Sequence, residues 1–291
     1  MEQFSPGNVV HKIVSLSKGF MKSQTAPRLS KSRDSELEVD RTFRPDIPQA
    51  GVIEEDLEAY AVRDWRKHFA SRLNGLGLEI GPLHRPLETH PGMKMHYVDH
   101  HSVEELRAIY PELRELPLVE PHILSDAETL ANVPDGGYDF IVAAHVIEHM
   151  KNPILAVENW LRILKANGLL YLIVPDKRAT FDQQRVRTTL GHIVLDYLRP
   201  SKERDYEHYL DYSIHVQKAE WHTMLPEADR LADTDYSIHF HVFIPTDIVN
   251  MLKWFNANVR PIDIVEGPCM APGSDEFHIL VRALEKHERT V

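Results

Sequence analysis

The chain has 291 residues, of which 43% are hydrophobic and 26% charged, so it can bury a core of ordinary globular size. Its 44 Asp and Glu against 33 Lys and Arg give a formal charge of -11, which argues against broad nucleic-acid binding because phosphate contact calls for surplus cations. A single cysteine, Cys269, permits no internal disulfide, and neither a secretory signal nor an apolar run of bilayer length is visible, so a cytoplasmic protein without a transmembrane segment is expected.

The first 33 residues carry six Lys or Arg against one Glu, with Val9, Val10, Ile13, Val14, Leu16 and Phe20 at partly helical spacing. They read as an arm that frays or packs on a neighbouring subunit, the latter consistent with a homodimer, or as a helix docking on a partner or membrane surface. Residues 31–51 are polar and proline-punctuated, as a linker is. The expected organisation is an arm and linker over 1–50 and one folded domain over 51–291.

From residue 76, short apolar runs alternate with helical stretches, the pattern of a parallel sheet flanked by helices. "LGLEIG" (76–81), "MHYVD" (95–99), "PHILSDA" (121–127) and "YDFIVAAH" (138–145) read as strands one to four. The helix that follows has Asn152 as its cap, Pro153 at its first position, a stripe of Ile154, Val157, Leu161 and Leu164, and Gly168 to close it in a left-handed conformation. "LLYLIVPD" (169–176) is a fifth strand, apolar enough to be buried on both faces. Residues 177–240, rich in His, Tyr, Arg and Asp, break the rhythm and read as a lid insertion. "HVFIPTDIVNMLKWFN" restores it, and "VRPIDIVE" and "EFHILVRAL" supply strands six and seven.

Ligands of such sheets lie beyond the carboxyl ends of the strands. Those ends carry Glu79 and Gly81, Asp99, Asp126, His145 and Asp176. A carboxylate after strand two suits ribose hydroxyls, whereas the prolines of "GPLHRPLETHPG" remove amides that a dinucleotide's pyrophosphate would need. A sulfonium nucleoside without phosphate tolerates that loop.

"LEIGPLHRP", "YVDHH", "LSDAETL" and "YDFIVAAHVIEHMKNPILAVENWLRILKANGLLYLIVPDKRATFD" together resemble the class I S-adenosylmethionine-dependent methyltransferases, of the type 11-like kind. "VPDKRATFDQQRVRTTLGHIVLDY", "EHYLDY" and "IHFHVF" resemble a bacterial group associated with glycan biosynthesis. The resemblance implies an α/β, Rossmann-like, seven-stranded sheet with its last strand antiparallel and helices on both faces. It implies S-adenosylmethionine as cofactor, with Glu79 and Gly81 at its methionine side, Asp99 at the ribose, Asp126 and Ala127 at the adenine edge, and His145 nearby. The family often has a second glycine at or near the position of Leu83, so the loop's path is a point of departure.

"AAHVIEHM" (143–150) also spells H-x-x-E-H, a zinc-peptidase signature if both histidines share a helix. Here His145 ends a strand while Glu148 and His149 begin a connection, so the helical argument fails. Some ubiquinone-pathway O-methyltransferases resemble this segment and use a divalent cation such as Mg. Carried over, His145, Glu148 and His149 are candidate metal ligands. The alternative has Glu148 hydrogen-bonding backbone at the helix start and His149 packing on the cofactor.

Methyl transfer to a hydroxyl needs the acceptor held in line and its proton removed, for which histidine is the favoured base near neutral pH. The candidate catalytic residues are His149, His192 and His241. His192 is spaced to share a helical face with Arg185, Thr188 and Asp196, and His239 and His241 alternate as if on one side of a strand. Asp176, Asp182, Arg185, Thr188 and His239 are candidate acceptor-binding residues. Tyr206, Tyr209 and Tyr212 either stack on sugar faces or form the lid's own core. The expected reaction is O-methylation of a carbohydrate or glycosylated metabolite, with a small-molecule or oligosaccharide acceptor. The alternatives are metal-assisted methylation of a phenol or quinone and non-catalytic cofactor binding.

Overall fold

The computed structural model describes residues 64–284; the expected arm and linker lie outside the described residues. Helix α1 (Trp65–Ala70) precedes strand β1 (Gly75–Ile80), followed by β2 (Met93–Asp99), α2 (Val103–Ile109), β3 (Ile123–Leu124) and β4 (Tyr138–Ala144). Then come α3 (Pro153–Ile163) and β5 (Leu164–Pro175), α4 (Leu190–Leu198), α5 (Lys202–His215), α6 (Met224–Asp233) and α7 (Pro245–Asn258). The last strands are β6 (Ile262–Cys269) and β7 (Glu276–Ala283).

Among the described residues these strands form one seven-stranded sheet in the order β3-β2-β1-β4-β5-β7-β6. Strands β1 to β5 pair in parallel, while β7 runs antiparallel to both β5 and β6. This is the expected Rossmann-like sheet with a reversed last strand.

Strand alternation sorts the core into two layers. Ile141 and Ala143 of β4 and Leu170, Leu172 and Val174 of β5 pack with Ile154, Val157, Trp160 and Leu161 of α3 and with Ile248, Met251, Leu252 and Phe255 of α7. Phe140, Val142, Tyr171 and Ile173, one residue out of phase, pack with Trp65, Phe69 and Leu73 at and just beyond α1. Helices therefore cover both faces.

Helix α3 begins as its sequence dictates: Asn152 Oδ1 accepts the Leu155 N–H at 3.0 Å, and Pro153 occupies the first turn. Its end differs. The helix stops at Ile163, Leu164 already pairs with Tyr138 in the sheet, and the left-handed residue is Asn167 at φ 61°, not Gly168. A Cβ on Gly168 would come within 3.1 Å of the Asp139 carbonyl oxygen, so this glycine answers close backbone approach.

Within the segment expected as a lid, α4 is capped by Thr189, whose hydroxyl accepts the His192 N–H at 3.2 Å. Arg185 and Thr188 lie before that helix and so do not share its face with His192 and Asp196. Tyr209 and Tyr212 are buried with Leu231, Ile238 and Phe240 in a small separate core, with Tyr206 packed at its edge. The tyrosines thus serve this segment's own packing. Residues 236–242 form no strand, and His239 and His241 serve two different clusters. The irregular course follows from Arg185, which binds the carbonyls of His239 and Phe240, and from Thr188, whose hydroxyl accepts the Val242 N–H.

Candidate functional site

The strand ends meet along one edge of the sheet, as parallel pairing requires. Glu79 is buried, and both its oxygens accept the Leu87 N–H, at 3.0 and 3.1 Å, so it fastens the loop that leaves β1. Burial, only partly offset by that bond, raises its pKa to about 7. Gly81 opens this loop at φ 59°, and Leu83 follows at φ 47°. Leu83 thus takes the backbone conformation that a glycine adopts freely, at a cost of about 1 to 2 kcal/mol for an L side chain. The His84 Nδ1 is buried with no hydrogen-bond partner among the described residues.

Asp99 ends β2 with its Oδ1 accepting the His101 N–H at 3.3 Å, and burial raises its carboxyl pKa. Asp126 Oδ1 accepts the N–H and hydroxyl of Thr129, both at 2.9 Å, which shapes the turn after β3. The carbonyl of Ala127 accepts Trp160 Nε1–H at 2.7 Å, tying that turn to α3.

His145 leaves β4 at φ 56°, a left-handed conformation uncommon outside glycine. Its Nε2 lies 2.8 Å from Glu276 Oε2 of β7, whose carboxylate is also gripped by Arg66 through two 2.7 Å bonds. Burial opposes ionisation of Glu276, yet Arg66 and His145 prevail and hold its pKa well below the usual range. Glu148 and His149 sit in a single 3-10 turn, Ile147–His149. Since His145 precedes that turn, the two histidines share no helix and the peptidase geometry is absent.

Glu148 is fully enclosed, and neither carboxyl oxygen has a hydrogen-bond partner among the described residues. Burial raises its pKa to about 8, so it is protonated at neutral pH. Burial also lowers His149 to about 3. Glu148, His149 and His239 bring ligating atoms within 4.8 Å of one another, while His145 directs Nε2 to Glu276 and keeps Nδ1 3.8 Å from Glu148 Oε1.

Asp182, Arg185 and His239 form one buried network. Arg185 Nη1 donates to Asp182 Oδ1 at 3.0 Å and to the His239 carbonyl at 2.7 Å, and its Nε donates to Asp211 at 2.6 Å. Asp182 Oδ2 lies 2.6 Å from His239 Nδ1. Burial alone would raise Asp182, but His239 and Arg185 outweigh it and hold the carboxyl below its ordinary pKa. Burial lowers His239 against the pull of Asp182, which leaves a neutral ring beside a carboxylate. A carboxylate only accepts, so Nδ1 carries the proton and Nε2 presents a lone pair. That nitrogen is 3.9 Å from Glu148 Oε1, and the ring meets His149 edge to face at 4.7 Å.

The remaining candidates stand apart from this network. His192 and His241 gather with Asp196 and His208. Asp176 is buried and committed to the backbone and guanidinium of Arg178. The Asp182–His239 pair has no sequence signature, being separated by 57 positions.

A family profile described as a methyltransferase domain matches residues 58–262. No curated protein matches. Among solved structures, the chain is similar to a Rhodobacter sphaeroides protein described as a zinc-dependent alcohol dehydrogenase (12% identity, 77% of this chain and 91% of that one, TM-score 0.46). It is also similar to a SAM-dependent methyltransferase from Thermotoga maritima (15% identity, 79% and 92%, TM-score 0.41) and one from Methanosarcina mazei (16% identity, 76% and 97%, TM-score 0.39). The family match spans strands β1 to β5 and the loops that follow them, and on that ground the chain belongs to the methyltransferase-domain family.

Proposed function

We propose that this chain is an S-adenosylmethionine-dependent O-methyltransferase acting on a hydroxyl of a carbohydrate or glycosylated metabolite, with His239 as the base. The observation that carries the base assignment is the 2.6 Å pairing of His239 Nδ1 with Asp182, which orients the ring and leaves Nε2 free to take a proton. His149 is less suited because its Nδ1 already meets the Ser237 hydroxyl at 3.1 Å. His192 and His241 belong to another cluster.

The strand ends suit the nucleoside. Gly81 gives side-chain-free backbone after β1, the loop beyond it holds the unpartnered His84 Nδ1, and Asp99 offers a carboxylate after β2. In this reading Glu79 shapes the methionine side through Leu87, Asp99 holds the ribose, and Asp126 and Ala127 border the adenine. The cofactor supplies an electrophilic methyl group. The chain's own part is to hold the acceptor in line and to move its proton to His239 Nε2.

The metal-assisted alternative for a phenol or quinone acceptor would use Glu148, His149 and His239. Two imidazoles and one carboxyl are a poor set for Mg2+, which prefers oxygen ligands. The test is transfer of labelled methyl from S-adenosylmethionine to a panel of sugars, glycosides and phenols, with and without added Mg2+. Transfer to sugar hydroxyls without Mg2+ supports the proposal. Label on phenols alone, or strict Mg2+ dependence, favours the alternative, and binding without transfer to any acceptor favours a scaffold.

A further inference from the structure

We infer that His192, Asp196, His208 and His241 form a closed binding site for a divalent metal ion of the zinc type, distinct from the proton-transfer pair. The four side chains come from α4, α5 and the segment before α7, and their ligating atoms lie within 4.8 Å of one another. His192 Nε2 is 3.2 Å from His208 Nε2 and 3.2 Å from Asp196 Oδ2, and His241 Nε2 is 3.8 Å from that same oxygen. A tetrahedral zinc ion with bonds of about 2.0 to 2.1 Å has ligand-to-ligand edges of about 3.3 Å. The cluster is therefore close to the size of a coordination shell.

Asp196, His208 and His241 are buried. Asp196 Oδ2 has no hydrogen-bond partner among the described residues, an arrangement that costs stability when left uncompensated. The other oxygen of Asp196 is held by Arg204 Nε at 2.6 Å, which fixes the carboxylate and leaves Oδ2 for an ion. Two imidazole nitrogens facing each other need a shared proton or a cation between them. Three imidazoles and one carboxylate are a donor set suited to zinc, and four protein ligands make a structural site. Ligation through His241 Nε2 exchanges its 3.1 Å contact with the Lys151 carbonyl for the ion. Because His241 is two residues from His239, such an ion would also fix the backbone that carries the proposed base.

The test is titration of the full chain, stripped of metal, with Zn2+ alone and with Co2+, read by calorimetry, elemental analysis and visible absorption. One ion per chain, tetrahedral Co2+ bands and a Zn2+-dependent rise in melting temperature are expected. Asp196→Asn, which keeps the side-chain volume, and His208→Gln should each weaken binding at least tenfold, whereas Glu148→Gln should keep one ion. A wild-type chain that binds neither ion overturns the inference without reference to any variant. Full binding by both Asp196→Asn and His208→Gln overturns it as well, as does loss of the ion in Glu148→Gln alone. None of these outcomes depends on methyl transfer.

Discussion

Asp182 Oδ2 stands 2.6 Å from His239 Nδ1 while Arg185 holds the opposite carboxylate oxygen at 3.0 Å. The pair therefore has a fixed orientation and a fixed tautomer. Asp182→Asn keeps the shape but allows the amide to donate toward Nδ1, which favours the wrong tautomer. Turnover should fall by roughly 100-fold to 10,000-fold, the usual contribution of a positioned base, while affinity for S-adenosylmethionine measured by calorimetry should stay the same. A variant of normal kcat would remove His239 from the proton path.

Asp99 ends β2 beside the loop that leaves β1. Asp99→Ala should weaken cofactor binding by about 1 to 3 kcal/mol, the loss of a hydrogen bond to a charged group. Calorimetric titration with S-adenosylmethionine measures this directly. An unchanged Kd would mean that the nucleoside lies elsewhere.

Buried Glu148 keeps its proton up to about pH 8, whereas an unfolded glutamate loses it near 4.5. The native state binds the extra proton between those values, so its stability falls as pH rises through that window. Glu148→Gln cannot ionise. Its stability relative to the wild type should climb from about pH 5 to about pH 8, by at most about 1.4 kcal/mol per unit. Urea denaturation of both chains across that range is the check, and a pH-independent difference would place the Glu148 pKa in the ordinary carboxylate range.

Asn152 caps α3 and also donates from Nδ2 to the Asp196 carbonyl at 3.1 Å, linking α3 to α4. Asn152→Ala should cost about 1 to 2 kcal/mol of stability. Asn152→Asp restores the cap but not the donor, so thermal melting should place it between the two. Equal melting of Asn152→Asp and Asn152→Ala would show that the cap contributes nothing.

The order of strands and helices was readable because it rests on local and periodic chemistry. Apolar runs marked β1, β4 and β5, and Asn152 with Pro153 marked the start of α3. Where local rules competed, the reading missed: β5 begins at Leu164, before the helix's expected glycine stop, because sheet pairing with Tyr138 captures that residue. Leu83 took the turn conformation expected of a glycine, which residue identity alone would have denied it.

The sequence by itself determined the alternation of strands and helices and the acidic strand ends, since those follow from period, capping and the direction of parallel strands, whereas the reversed last strand was implied by the family resemblance. Only the tertiary structure decided which histidine meets which carboxylate. His239 and His241 are two positions apart yet join different clusters, because Arg185 and Thr188 bind the intervening backbone and prevent a regular strand. The partners of His239 and His241 come from elements 57 and 45 positions away, Asp182 and Asp196. Spacing along a chain carries no direction in space across such distances.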